Sequence, residues 1–246
     1  MTHLRPTITT VLSVPGPWGD EAQLAAAISE TTPTFILHAR TLRDTVSGNT
    51  WSLELSDHDP DLRASYQSAN RSSLTPAELN RIGRHVGVAY LIAPGGSMDA
   101  AREMLHAASA LLLAGGFAVK VESAGVAHGA RDWLAQSARR DTHEGALYIA
   151  YVALVGGGDN YYSCGMHNLG LPDAIVSATI DVSRAGELLR DFLMSLVHDP
   201  QRQLADGTII TDVTGAHYKL THESYRAYPP DDLFFNPFGM WRLTQQ

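Results

Sequence analysis

The 246-residue chain has a single cysteine, Cys164, and only two lysines, Lys120 and Lys219. One cysteine excludes an intramolecular disulfide and any zinc or iron–sulfur site built from several thiolates. Basic residues are outnumbered, 18 Lys plus Arg against 26 Asp plus Glu, for a formal charge of −8. Arg139-Arg140 is the sole basic doublet. A nucleic-acid binder needs a dense basic stripe to neutralise phosphates, so nucleic acid is not an expected partner. The acidic balance favours solubility and would steer a basic partner toward the surface. Long hydrophobic runs are also missing. The most apolar span, Met104 to Val121, contains His106, is broken by Gly115-Gly116 and ends beside Lys120. It falls short of the ~20 consecutive apolar residues of a membrane helix, so no membrane association is expected. The first nineteen residues have no apolar run of leader length before Pro15 and Gly16, which predicts a cytoplasmic protein. The arginine-over-lysine and alanine bias points to a bacterial source.

What is present suffices for a substantial core: 44% of the residues are hydrophobic. Thr7 to Val14 reads as a β-branched strand stopped by Pro15-Gly16-Pro17, and Asp20 opens a helix with Leu24, Ala27 and Ile28 on one face. Thr34 to Ala39 and Trp51 to Leu55 read as strands. Ser56 to Ser73 is polar and without a clear period, a long excursion of the kind that is often functional. Thr75 caps a helix with Pro76 at its first position and Glu78 placed for a capping box. Gly87 to Ala93 is a continuous apolar run, as in a strand buried on both faces. Residues 1–94 therefore predict an α+β half of βαββαβ, split-βαβ or ferredoxin-like, order.

Residues 95–246 predict a second α+β half, the two forming one compact unit with mixed or antiparallel sheets. Ser97 caps a helix with an apolar stripe from Met98 to Leu112, ended by Gly115-Gly116, and Phe117 to Val121 returns as a strand. A short helical piece surrounds Trp133. Ala146 to Val155 and Tyr161 to Met166 read as strands joined through a glycine-rich hairpin, and Ala174 to Ile180 as another. Ser183 starts an amphipathic helix ended by Asp199-Pro200. Thr208 to Val213 and His217 to Thr221 form a last pair of strands before an aromatic, proline-punctuated tail at 228–246, expected to pack in extended form.

The stretch YYSCGMHNLGLPDA, Tyr161 to Ala174, gathers the cysteine, a histidine and a Gly-Leu-Pro-Asp break. On a strand Cys164 and His167 point to opposite faces, whereas Ser163 and His167 share a face ~13 Å apart, so neither pair forms a ready dyad. Cys164-x-x-His167 is half a zinc pattern with no second half. Strand followed by turn is the simpler expectation, with Gly170 and Pro172 aiming the chain into the next strand. Gly95-Gly96-Ser97 stands at a helix start without completing a nucleotide fingerprint. HExxH is absent among the eleven histidines, and His217 and His222 lie five apart on opposite strand faces. No catalytic residue, cofactor or metal site is assigned.

The segment Tyr162-Ser163-Cys164-Gly165-Met166-His167-Asn168-Leu169-Gly170, with Asp173 three residues on, carries a Tyr-x-x-Gly-Met-x-x-x-Gly-x-x-Asp pattern. With Leu189, Phe192 and Leu193 and the turn Leu204-x-Asp206-Gly207, it resembles a mostly bacterial family known only as domain of unknown function 4261. Weaker likeness extends through AYLIAPGG and the alanine-rich helix, to about two-thirds of the chain. The resemblance implies an α+β fold and a soluble intracellular protein, and it brings no activity and no catalytic residues. Three functions stay open. A non-enzymatic protein-interaction module, in the manner of an immunity protein with an unidentified protein partner, would use the 56–73 excursion or the tail. An enzyme or small-ligand or metal-binding protein would use a cleft between the halves, lined by His167, Asp173, Asp206 and His217. A homo-oligomeric structural protein would cover its own edges.

Overall fold

The computed structural model describes residues 8–71, 73–141, 143–226 and 228–246; Thr7, expected to open the first strand, lies outside them. That strand, Thr9–Gly16 (β1), opens on the β-branched run Thr9-Thr10-Val11 and is buried along most of its length, and it lies near the middle of a seven-stranded sheet. The others are Phe35–His38 (β2), Thr41–Asp44 (β3), Thr50–Ser56 (β4), Gly87–Pro94 (β5), Ala118–Val121 (β6) and Val126–Gly129 (β7), in the order β2-β3-β4-β5-β1-β6-β7. Every pairing is antiparallel. Leu12 opposite Leu91 and Val14 opposite Ala89 turn one face inward. Helices Glu21–Thr31 (α1) and Met98–Leu113 (α4) cover that face with Leu24, Ile28, Met104, Leu105 and Leu111. On the opposite face Leu62–Ala69 (α2) and Pro76–Ile82 (α3) bury Tyr66 and Ile82 over Val88, Ala118 and Ala127.

The predicted α+β class with antiparallel or mixed sheets holds, with finer differences. Between β1 and β5 the chain adds the strand β3 and the helix α2 to the predicted order. The first sheet also continues past Pro94 to take in β6 and β7, so the sheets part after Gly129 rather than at 94/95. The excursion expected at 56–73 is largely structure. Tyr66 is fully buried and its hydroxyl donates to the Ser13 carbonyl at 2.7 Å. Sequence pattern misses α2 because a two-turn helix with three buried residues shows too short a period.

Helices Ala130–Arg139 (α5) and Gly145–Tyr151 (α6) lead to the second sheet, with α6 against both α4 and the later helix Val182–His198 (α7). That sheet orders its strands β11-β12-β13-β10-β9-β8: Ile209–Thr211, His217–Glu223, Met240–Gln245, Asp173–Ser177, Asn160–Cys164 and Ala153–Gly157. Its only parallel pair joins β10 to β13, so the tail supplies an interior strand. The strand predicted at Ala146–Val155 is corrected: residues 145–151 are helical. A run buried on nearly every side has no period to distinguish the two states, and Ile149 is its only β-branched member. Ala174, Val176, Leu220 and Leu243 face α7 in the same core as the first sheet's inner face.

Local chemistry fixes the helix ends. The Thr75 side chain accepts from Glu78 N at 3.3 Å, and the Glu78 carboxylate accepts from Thr75 N at 2.8 Å, completing the capping box. Thr75→Ala is expected to lower unfolding free energy by about 1 kcal/mol in urea titration, and a change under about 0.3 kcal/mol would show the box to be idle.

Candidate functional site

Strand β9 does not run on to Met166. It stops at Cys164, and Gly165 takes φ 118° to turn the chain into one 3-10 turn, Met166–Leu169, closed by Gly170 at φ 79°. A methyl at residue 165 would run into the Tyr151 carbonyl oxygen, and one at 170 would lie 2.5 Å from that of Gly96. Both glycines are thus demanded by backbone sign and by close approach. The turn aims neighbouring side chains at different tasks. Asn168 is wholly buried and joins the two sheets, its Oδ1 accepting from Thr10 and Ser123 hydroxyls at 2.8 Å each. Its main-chain carbonyl accepts from Gly96 N at 3.2 Å. Gly95 N donates to the Ile8 carbonyl at 2.8 Å, so both glycine N–H groups before α4 are taken by the protein itself.

Asp173 opens β10 and is fully buried without a basic partner among its hydrogen bonds. Its Oδ1 accepts from the Ser163 hydroxyl at 2.7 Å and, at 3.4 Å, from Met166 N; Oδ2 accepts from Asn236 Nδ2 at 2.6 Å. Burial pushes its pKa up to about 7, against the opposing pull of those donors. Asn236 also donates to the Leu171 carbonyl at 3.1 Å and accepts from Phe238 N at 2.9 Å, which ties the tail to the turn.

His167 points the other way. It is 1% exposed, and neither ring nitrogen has a hydrogen-bond partner. Main-chain groups of Leu233 and Ser123 lie against the ring and favour its protonated form, and both ring nitrogens are closed off from solvent. Burial outweighs them and lowers its pKa to about 4, so the imidazole is neutral at pH 7. The ring lines a cavity of about 320 Å³ whose walls are Ile8, Pro230, Leu233, Phe235 and Pro237, with Asp231 and Asp232 also on its lining.

Of the four residues predicted to line one cleft, only His167 and Asp173 share a neighbourhood. Asp206 is exposed and accepts from His222 N at 2.6 Å; His217 is exposed and pairs with the Thr211 hydroxyl at 3.0 Å. Both stand on the β11–β12 edge, because the Asp-Gly turn and the strand after it form a hairpin of their own. Asp173 is a structural clamp and does not line the cavity. Asp231, Asp232 and Phe235 were missed as site residues. The acidic doublet reads as a solvated turn, and only the anchoring of Asn236 brings it over His167.

Cys164 is buried, and burial raises its thiol well above the usual range, which leaves it unsuited to act as a nucleophile. Among the described residues no group of three His, Cys, Asp or Glu side chains is placed to hold a metal ion. No described helix is long and apolar enough to cross a membrane.

Four other hollows among the described residues are larger, from about 380 to about 770 Å³, and two of them hold paired charges. On the open face of the second sheet, about 770 Å³ lies beside Arg242, whose guanidinium is held by Glu223 at 2.6 and 3.1 Å. A groove of about 380 Å³ between α7 and β11 contains Arg184, paired with Asp212 at 3.2 Å. Arg242 is thereby satisfied, whereas Arg184 keeps its buried Nε without a partner.

No family model, curated protein or solved structure matches the chain. Gly165, Gly170 and Asp173 of the Tyr162–Asp173 motif have structural work that accounts for them.

Proposed function

We propose that the protein binds a small molecule in the cavity floored by His167. One observation carries this: a buried imidazole with both nitrogens unbonded, on the wall of a cavity about 320 Å³ in volume. A polar group buried without a partner costs about 1–3 kcal/mol, and a ligand that hydrogen-bonds it recovers that cost. Apolar walls with one placed polar group, in a volume at the small end of ligand sites, suit a compact organic molecule. The tail serves as a wall of the site, and the 57–73 segment packs Leu62, Tyr66 and Ala69 against the first sheet while most of its other described residues are exposed. A single buried thiol suits a reducing, cytoplasmic setting.

A ligand site and a structural histidine respond oppositely to His167→Leu. If the imidazole serves a ligand, the substitution raises the free protein's stability by about 1 kcal/mol, since an unsatisfied polar group is replaced by an apolar one. It also abolishes fragment-induced amide shifts at Ile8, Thr9, Leu233 and Phe235. Loss of more than about 2 kcal/mol on this substitution, or a fragment screen that leaves those amides unmoved in the parent protein, would overturn the proposal.

A further inference from the structure

The Asp57-His58-Asp59 run precedes α2, and the fold sets it against His85, three residues beyond the end of α3. His85 is buried, and both of its ring nitrogens are engaged. Its Nδ1–H donates to the Ile82 carbonyl at 2.7 Å, which leaves Nε2 as the unprotonated acceptor of Asp59 N at 3.0 Å. The His58 ring lies over it with centroids 4.4 Å apart, and His58 Nδ1–H donates to the His85 carbonyl at 2.8 Å. A backbone N–H is held at Nε2 only while that nitrogen carries no proton. Adding one sets a donor against a donor.

We infer that the His58–His85 pair is an acid-released latch on α2: a proton taken from solvent onto His85 Nε2 breaks the Asp59 contact and frees the start of the helix. The helix depends on that contact. Its N-cap, Asp61, makes no capping hydrogen bond from its side chain. The first turn instead hangs from Asp59, whose carbonyl accepts from Leu62 N at 3.2 Å and whose Oδ1 accepts from Asp61 N at 2.9 Å. A helix of two turns has little stability of its own. In turn α2 covers a polar cluster on the sheet: Tyr66 bonds to Ser13, and Ser65 Oγ accepts from Lys120 Nζ at 2.8 Å beside Glu122. Release therefore uncovers Ser13, Lys120 and Glu122. Burial and a charge on His58 oppose the proton on His85, whereas the Ile82 carbonyl and the Asp59 carboxylate favour it. Among the described residues no charged side chain of α2, α3 or β5 acts on the ring. The balance holds the closed ring below its ordinary value of 6.5, so the latch is fully formed above that value and is lost as pH falls below it.

The test is amide hydrogen exchange on the full chain, with protection at Ser65 and Tyr66 read against Leu105 and Leu111 of α4. One proton taken up on opening lets the opening constant rise by up to about 10-fold per pH unit below the ordinary histidine value. Between about pH 7 and about pH 5.5 the α2 amides are therefore expected to lose at least about 3-fold of their protection relative to α4. His85→Gln has no titrating ring and should abolish that pH dependence, whatever its effect on stability. The ¹⁵N shifts of the His85 ring in the parent protein give a reading that needs no variant. Nε2 is expected to be unprotonated at neutral pH and to gain its proton over the range in which α2 loses protection. Protection of α2 that stays level with pH, falls only in step with α4, or keeps its pH dependence in His85→Gln overturns the latch. So does a protonated His85 ring with the Asp59 amide still protected.

Discussion

Replacing Gly165 by alanine is expected to remove about 4 kcal/mol of stability. Two causes add at that position. A φ of 118° lies where side-chain-bearing residues are strained, by about 1–3 kcal/mol. The added methyl would also occupy the space of the Tyr151 carbonyl oxygen and come within 2.9 Å of the Ala124 Cβ, an overpacking cost of about 1–3 kcal/mol. Gly158 separates these causes. It has φ 57° in the β8–β9 hairpin with nothing near its Cβ position, so Gly158→Ala carries strain alone and is expected to cost about 1 kcal/mol. Urea unfolding of both variants measures the difference. Equal losses would mean that the close approach of α6 to the turn is not a constraint. Since a domain is stable by only about 5–15 kcal/mol, the Gly165 variant should also loosen the His167 floor.

Asp173→Asn is expected to change how stability depends on pH. The folded carboxyl holds its proton up to about pH 7, against an ordinary value of 3.8. Between those values the folded state binds more protons than the unfolded one, so the contribution of Asp173 falls as pH rises and is lost through pH 7. From pH 5 to pH 8 the loss integrates to about 2–3 kcal/mol. His85, His128 and His167 act in the opposite sense: burial lowers their pKa values, and their contribution is lost as pH falls below about 6.5. The net profile of the parent protein mixes both trends, and the parent-minus-variant difference isolates the carboxyl. That difference should decline by about 2–3 kcal/mol across the window; a flat difference would place the Asp173 pKa near that of the unfolded chain.

The protein shows which features are legible along a chain. The α+β class, the capped helices α3, α4 and α7, and the hairpins around Gly158 and at β11–β12 could all be read because they depend on residues within a few positions of one another. Proline, glycine and capping side chains act locally, and an amphipathic stripe declares its period. The YYSCGMHNLGLPDA stretch was legible as strand and turn for the same reason. Helix α6 was not, because burial on almost every side erases the period that tells helix from strand. Strands β3 (Thr-Leu-Arg-Asp) and β7 (Val-Ala-His-Gly) carry too few apolar or β-branched residues to announce a strand, unlike β2 and β6 of the same length.

Sequence alone determined composition, charge and the local grammar of caps and turns, and its single cysteine excludes an intramolecular disulfide. Tertiary structure decided where the sheets part, that β13 returns to pair with β10, and that Asp206 and His217 stand apart from His167. It also made the Asp231-Asp232 turn part of a cavity, through a hydrogen bond between residues 63 positions apart, Asn236 to Asp173. Nothing near Asp231 in the chain specifies that bond. It follows from the burial of a carboxylate that must find its donors wherever the fold places them.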